Sequence, residues 1–412
     1  MNILLVTVVF PYPINDGGRS GTFKLIEYLR FKHNITLVCP SCSQSNYQKL
    51  QELWPNVNIL TFNSAKKINE GFNLKGFIKK TIVGQKKPSK SEIFKSNMVL
   101  NSTDLVKYYF SNLIQLVQNE LNTNSYDLIQ VDFIELAPLI HFLPENIKKI
   151  FVHHELRYKR MALEYATLGF EDLAEEWKIA NTKLLEIGLL NAFDKVICLT
   201  EIDKKALEID GVMESKLEVS PLPVDITEHP INQPFVFSKR LVFLGPEVHF
   251  PNLDGVDWFL NNCWTKLLKS DPRLRLSVLG KWSDEAKIMF SEFRNVTFEG
   301  FVEDLSSVMK GSIMIVPLRI GSGMRMKILE GAAWHVPMVS TSIGAEGLPM
   351  KNMENCILAD SPSEFIDGVL TLSADSELQN MFVRNAKNII KLGYSVAECG
   401  QIRNVIYQKI TA

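Results

Sequence analysis

The sequence has no apolar run approaching the roughly 20 residues that cross a bilayer, which argues against a membrane-spanning protein. Its apolar start, Met1 to Phe10, is short, lacks a basic lead and runs into Pro11 and Pro13, so it reads as a buried strand and not a signal peptide. Cysteine is scarce and scattered, six in 412 residues, which suits reduced thiols in the cytosol better than a disulfide framework. Cys39 and Cys42 form a CxxC pair, but without a second pair or histidines at ligand spacing it reads as structural. Asp-x-Asp and HExxH are both missing, so no metal is expected. No GxGxxG follows the run Ile3–Val9, which disfavours a nicotinamide oxidoreductase. Excess charge is missing too: a formal net charge of −1 gives no global case for nucleic acid as a partner.

What is present is an alternation of β-rich apolar runs with longer segments of helical period, the pattern of a parallel sheet covered on both faces. It occurs twice, as expected for a chain too long for one core. The first set of strands reads Ile3–Val9, Ile35–Cys39, Val57–Phe62, Asp127–Val131, Lys149–His153 and Lys195–Leu199. The second reads Arg240–Gly245, Arg275–Gly280, Val296–Glu299, Ile313–Pro317 and Pro337–Thr341, with helices beginning near Asn252, Asp284, Asp304 and Gly323. Between them, Pro221, Pro223, Pro230 and Pro234 suit a linker. The expected division is a first α/β domain over 1–228, a second over 229–395 and a terminal helix, 396–412, free to pack back on the first domain. Lys66 to Lys95 holds nine lysines interleaved with Phe72, Leu74, Phe77 and Ile78. Within an insertion at about 64–100, it reads as either a solvated surface or a basic amphipathic one able to touch an anionic membrane.

The stretch from Val316 to Gly331 carries most information. An apolar run ends at Pro317, the loop Gly321-Ser322-Gly323-Met324 follows, and a helix is expected from about Gly323, a geometry that points backbone N–H groups at an anion such as phosphate. Arg325 and Lys327 place cations at a helix start, where they are unfavourable unless an anion sits nearby. Glu330, a turn and a half along, can face the same cleft and accept from sugar hydroxyls, or instead pair with Lys327.

This stretch, continued through Ala332-Ala333-Trp334-His335-Val336-Pro337 to Gly344-Ala345-Glu346-Gly347, resembles the donor-site signature of family 4 glycosyltransferases, in the subgroup with a Gly-Ser-Gly-x-Arg-x-Lys loop. The resemblance implies a GT-B fold: two Rossmann-like domains facing across a cleft, with the terminal helix returning to the first. It implies that Glu330 holds the ribose of a nucleotide and that Ser322 stands where the family usually has a sugar-contacting glutamate. Pro246 and Asn252 stand near positions where many members carry an arginine and a lysine, so the diphosphate charge falls to Arg325 and Lys327. Gly245, Gly280, Lys281, Phe301 and Val302 match the strand ends around the nucleotide. In the first half, Gly17, Gly18 and Arg19 match a loop facing the donor phosphates, and the strand-end histidine is either His153 or His154.

The resemblance further implies transfer of a sugar from a UDP- or GDP-linked donor, with retention of configuration, to a glycan or lipid-linked saccharide, without a metal or other cofactor. The expected setting is cytoplasmic, extending to peripheral contact with the inner face of the membrane. Two readings compete: a nucleotide-sugar epimerase on the same scaffold, and a non-catalytic subunit that binds a glycan or a transferase partner.

Overall fold

The computed structural model describes residues 1–14, 17–63, 66–67, 108–109, 112–169, 172–225, 234–302 and 304–412. The lysine-rich segment Lys66–Lys95 therefore lies outside the described residues, apart from Lys66 and Lys67.

The first lobe is built on β1 (Asn2–Val6), β2 (Asn34–Pro40), β3 (Val57–Phe62), β6 (Leu128–Asp132), β7 (Lys148–His153), β8 (Lys195–Cys198) and β9 (Leu217–Val219). A short antiparallel pair, β4 (Lys66–Lys67) with β5 (Tyr108–Tyr109), stands apart. The seven strands run parallel in the order β3-β2-β1-β6-β7-β8-β9. The second lobe holds β10 (Arg240–Leu244), β11 (Arg275–Leu279), β12 (Val296–Gly300), β13 (Ser312–Val316), β14 (Met338–Ser340) and β15 (Ile357–Leu358), all parallel, in the order β12-β11-β10-β13-β14-β15.

The central strands are covered on both faces and every residue of β6 and of β13 is buried, whereas the edge strand β12 has no fully buried residue. In each sheet the strand order reverses beside the opening strand, at β1/β6 and at β10/β13. Ligands of open parallel sheets bind at the carboxyl ends of strands at such a reversal. The architecture is GT-B, as the sequence led one to expect. Two differences are local. The first strand ends at Val6 and not Val9, and β9 and β15, only three and two residues long, gave no period to read.

The last helix, Val396–Thr411, crosses back to the first lobe and packs on helix Gly17–Leu29. Gly400 is required there, because a side chain would enter the Tyr28 ring. Asn404 Oδ1 meets His33 Nε2 at 2.8 Å. Arg403, wholly buried, donates to Ser220 Oγ at 3.0 Å and to Gln130 Oε1 at 3.3 Å, and Tyr407 donates to the same Gln130 oxygen. The linker and the returning chain are tied where the Val224 amide donates to the Tyr394 carbonyl, 2.9 Å away. No helix among the described residues is long and apolar enough to cross a membrane.

A buried polar cluster is costly to break, since each orphaned group keeps its desolvation penalty. Arg403→Ala is expected to lower unfolding free energy by about 3 kcal/mol, measured by urea denaturation. A change under about 0.5 kcal/mol, the level of a neutral surface substitution, would show that the cluster does not hold the terminal helix.

Candidate functional site

A cleft of about 1050 Å³ opens between the lobes, where the carboxyl ends of the two sheets face each other. Its second-lobe wall is the loop after β13 and the helix that follows. That helix runs Met326–Ala333, starting three residues later than the sequence suggested, with Arg325 as its N-cap and no side chain capping it. The extra loop residues are used to reach the other lobe. Gly323 adopts φ +75° and lies directly under the His154 carbonyl, leaving no room for a side chain. Ser322 Oγ accepts from the Leu156 amide at 2.6 Å, so the second lobe adds one acceptor at the start of helix Arg157–Leu168, whose first two amides donate to Glu186.

Arg325 folds back over this loop. Its guanidinium donates to the Gly323 carbonyl and pairs with Glu346 at 3.2 Å, while burial holds its pKa below the ordinary arginine value. Its Nε finds no hydrogen-bond partner among the described residues although it is buried. Lys327 projects toward β10. Nζ donates to Asn252 Oδ1 at 2.6 Å and sits 4.4 Å from the centre of the Phe243 ring. Asn252 is itself fixed, its amide nitrogen donating to the Pro246 carbonyl at 2.8 Å. Burial between the lobes pulls the Lys327 pKa down to about 7, against the pull of Glu330 and helped by Arg325. The site thus concentrates positive charge where solvent cannot fully stabilise it, an arrangement suited to a bound anion.

Gly17, Gly18, Arg19, Gly245, Gly280, Lys281, Phe301, Val302, Gly321, Ser322, Met324, Arg325, Lys327, Glu330 and His154 all line this cleft. Three of the glycines are required by packing: a side chain on Gly17 would strike Met326 of the opposite lobe, one on Gly245 would strike Asn252, and one on Gly280 would strike Gly245. Phe301 stands at the rim, 62% exposed. Gly323 does not line the cleft; its role is the contact beneath His154.

His153 is corrected as well. It is the last residue of β7 and points into the helix layer, where Nε2 meets the buried Glu186 carboxylate at 2.6 Å. His154, one residue on, turns to the rim. Its ring stacks on Phe133 at 3.8 Å and 3°, and Nε2 lies 3.9 Å from Asp132 Oδ2, with no hydrogen-bond partner among the described residues. Phe133 holds φ +73° to make that stack, a strained conformation for a residue with a side chain.

Several lining residues were not singled out from the sequence: Phe133, Glu135, Glu155, Arg157 and His249. Glu155 lies between Arg157 Nε at 3.3 Å and Arg160 Nε at 3.1 Å. Burial alone would raise its pKa, but these two arginines, with His249, hold it at about 2. His249 is lowered to about 4 by loss of bulk water between the lobes, then by Arg160, Lys327 and Arg325 outweighing Glu155. It is therefore a neutral imidazole at physiological pH.

Residues 238–375 match the family model described as "Glycosyl transferases group 1". Across 95% of this chain and 96% of its own length, a Klebsiella pneumoniae protein described as "Uncharacterized 44.6 kDa protein in cps region" is 23% identical. Among solved structures, TarM is similar at TM-score 0.68 with 13% identity, covering 98% of both chains. Anabaena HepE, solved in complex with UDP, is similar at TM-score 0.64 with 12% identity, over 99% of this chain and all of that one. At such identities the structural likeness shows the GT-B fold alone. With the domain match, the findings support a glycosyltransferase of that fold.

A lysine whose pKa is lowered from 10.5 to about 7 costs folding stability in full below about pH 7, and the cost fades as pH rises toward 10.5. Between pH 7 and 10 the unfolded state holds more protons at this position, so its contribution to stability rises with pH. Lys327→Met is therefore expected to melt higher than the parent at pH 7, with the advantage narrowing toward pH 10. A melting difference that stays constant across that range would show that Lys327 is not depressed.

Proposed function

We propose that the protein transfers a sugar from a uridine or guanosine diphosphate donor to a glycan or lipid-linked saccharide, with retention of configuration. One observation carries the reading. The uncapped helix start, Lys327, Arg325 and Glu330 converge in one cleft with Gly17, Gly18 and His154 of the facing lobe, at the reversal points of both sheets.

A diphosphate fits the positive wall, and Glu330 lies on the face of its helix that meets Gly17, within reach of a ribose. As the glycosidic bond breaks, negative charge grows on the leaving diphosphate. Lys327 and Arg325 stabilise that charge more than they stabilise the bound donor, which lowers the barrier. The diphosphate also draws Lys327 back to its protonated form, so the cation is present when charge develops. Side chains meet the charge here, so the reading needs no divalent ion. The acceptor enters on the same face as the departing phosphate, and a diphosphate oxygen takes its proton. The docked loop and segment 154–156 keep water from diverting the donor.

Structures of relatives of this fold lend support: HepE has been solved with UDP-glucose, and S. aureus TarM with UDP, alpha-GlcNAc-glycerol and fondaparinux. The setting proposed is the cytoplasm, with the Lys66–Lys95 region as a contact to anionic membrane.

The test is a panel of uridine and guanosine diphosphate hexoses, incubated with and without oligosaccharide acceptors and assayed for released nucleotide. Acceptor-dependent release is expected. Interconversion of the donor sugar without acceptor would replace transfer by epimerisation, and binding without turnover would leave a non-catalytic subunit. Glu330→Gln is expected to weaken UDP binding by about tenfold, the scale of one charged hydrogen bond, in titration calorimetry. Unchanged affinity would remove Glu330 from the ribose site.

A further inference from the structure

A donor whose diphosphate is held by the 321–325 loop must place its sugar just beyond that loop, against whatever the first lobe presents there. What it presents is the segment His154-Glu155-Leu156. The His154 carbonyl covers Gly323, the Glu155 Cα would lie 3.3 Å from a side chain at that glycine, and the Leu156 amide donates to Ser322 Oγ. Sugar hydroxyls need acceptors, and a carboxylate can take two neighbouring hydroxyls at once. Ser322 has one hydroxyl, with one lone pair already accepting from Leu156, so it cannot take two neighbouring hydroxyls as a carboxylate can.

Among the cleft glutamates, Glu135 is taken up by Arg157, and Glu330 lies against Gly17 at the far side of Lys327. Glu155 remains, at the centre of the docked segment. Its contacts with Arg157 at 3.3 Å and Arg160 at 3.1 Å fix its charge. The carboxylate is therefore held ionised in the cleft wall, one oxygen facing Arg157 and the other Arg160, and each oxygen keeps a further lone pair for a hydroxyl. Its side chain is 24% exposed, all that a group reading a bound sugar requires.

Resting on the sugar-transfer reading above, we infer that Glu155 is the specificity-determining residue for the transferred sugar, accepting hydrogen bonds from its hydroxyls. The carboxylate reaches the sugar from the first lobe, and the Ser322–Leu156 bond is what seats it. Recognition of the sugar by this carboxylate then requires the lobes to be together.

The experiment uses the diphosphate hexose that proves active in the panel above, together with its four monodeoxy analogues, each lacking one ring or exocyclic hydroxyl. The parent enzyme is expected to disfavour at least one analogue by about tenfold or more in kcat/KM, the order seen when a polar group of a site loses its partner. Glu155→Gln should reduce that preference to about twofold or less and slow the full donor, with UDP affinity unchanged. Glu155→Asp keeps the charge between the two arginines but shortens the reach, so it should retain the melting temperature and still lose the preference. Equal slowing of all donors by both variants, or a parent enzyme that ignores every hydroxyl, overturns the inference while leaving sugar transfer intact. Donor binding without any turnover by the parent enzyme sinks the sugar-transfer reading itself, and this inference with it.

Discussion

Everything in the cleft depends on one contact between the lobes: the loop after β13 docked on the corner after β7. Ser322 Oγ accepts from the amide of Leu156, the residue ahead of helix Arg157–Leu168, whose first two amides donate to Glu186, and Gly323 fits beneath the His154 carbonyl only because it has no side chain. The first amides of a helix need acceptors from outside it. Here one acceptor comes from the opposite sheet, so joining the lobes satisfies a backbone group that water must otherwise serve. The same contact brings Arg325, Lys327 and Glu330 opposite His154, Glu155 and Arg157.

Charge organises the rest. The second-lobe wall is positive and underhydrated, with Lys327 poised near neutrality and Arg325 buried against Glu346. The first-lobe wall alternates sign, with Arg157 paired to both Glu135 and Glu155, and Arg160 in turn paired to Glu155 and Glu164. One wall is suited to a diphosphate. The other offers the paired donors and acceptors that a polyhydroxylated ring requires, and it is braced by charges that cannot leave without exposing buried partners.

The sheets were legible from sequence because strands covered on both faces appear as uninterrupted apolar runs, and β2, β3, β7, β11 and β13 fall within a residue or two of those runs. That same double covering hid the histidine choice. With both faces buried, period-two alternation gives no sign of which of His153 and His154 faces the rim; only the turn after β7 decides it. The second-lobe loop was readable because glycines, cations and a glutamate follow one another along the chain. Glu155 stood beside the histidines without a signal, since the arginines that fix its charge lie around a strand-to-helix corner. Asn252 and Lys327 are 75 residues apart, and their bond has no local trace. The strained Phe133 has none either, because ordinary sequence preferences disfavour the conformation it adopts.

The return of helix Val396–Thr411 also shapes how the chain comes into being. Gln130 and Ser220 of the first lobe obtain their buried partners from Arg403 and Tyr407, and those residues are made after every strand of both sheets. During synthesis the first lobe therefore emerges with a polar gap in its core. It stays incomplete until helix Val396–Thr411 leaves the ribosome, so the lobe that begins first is sealed only after the second lobe has been made.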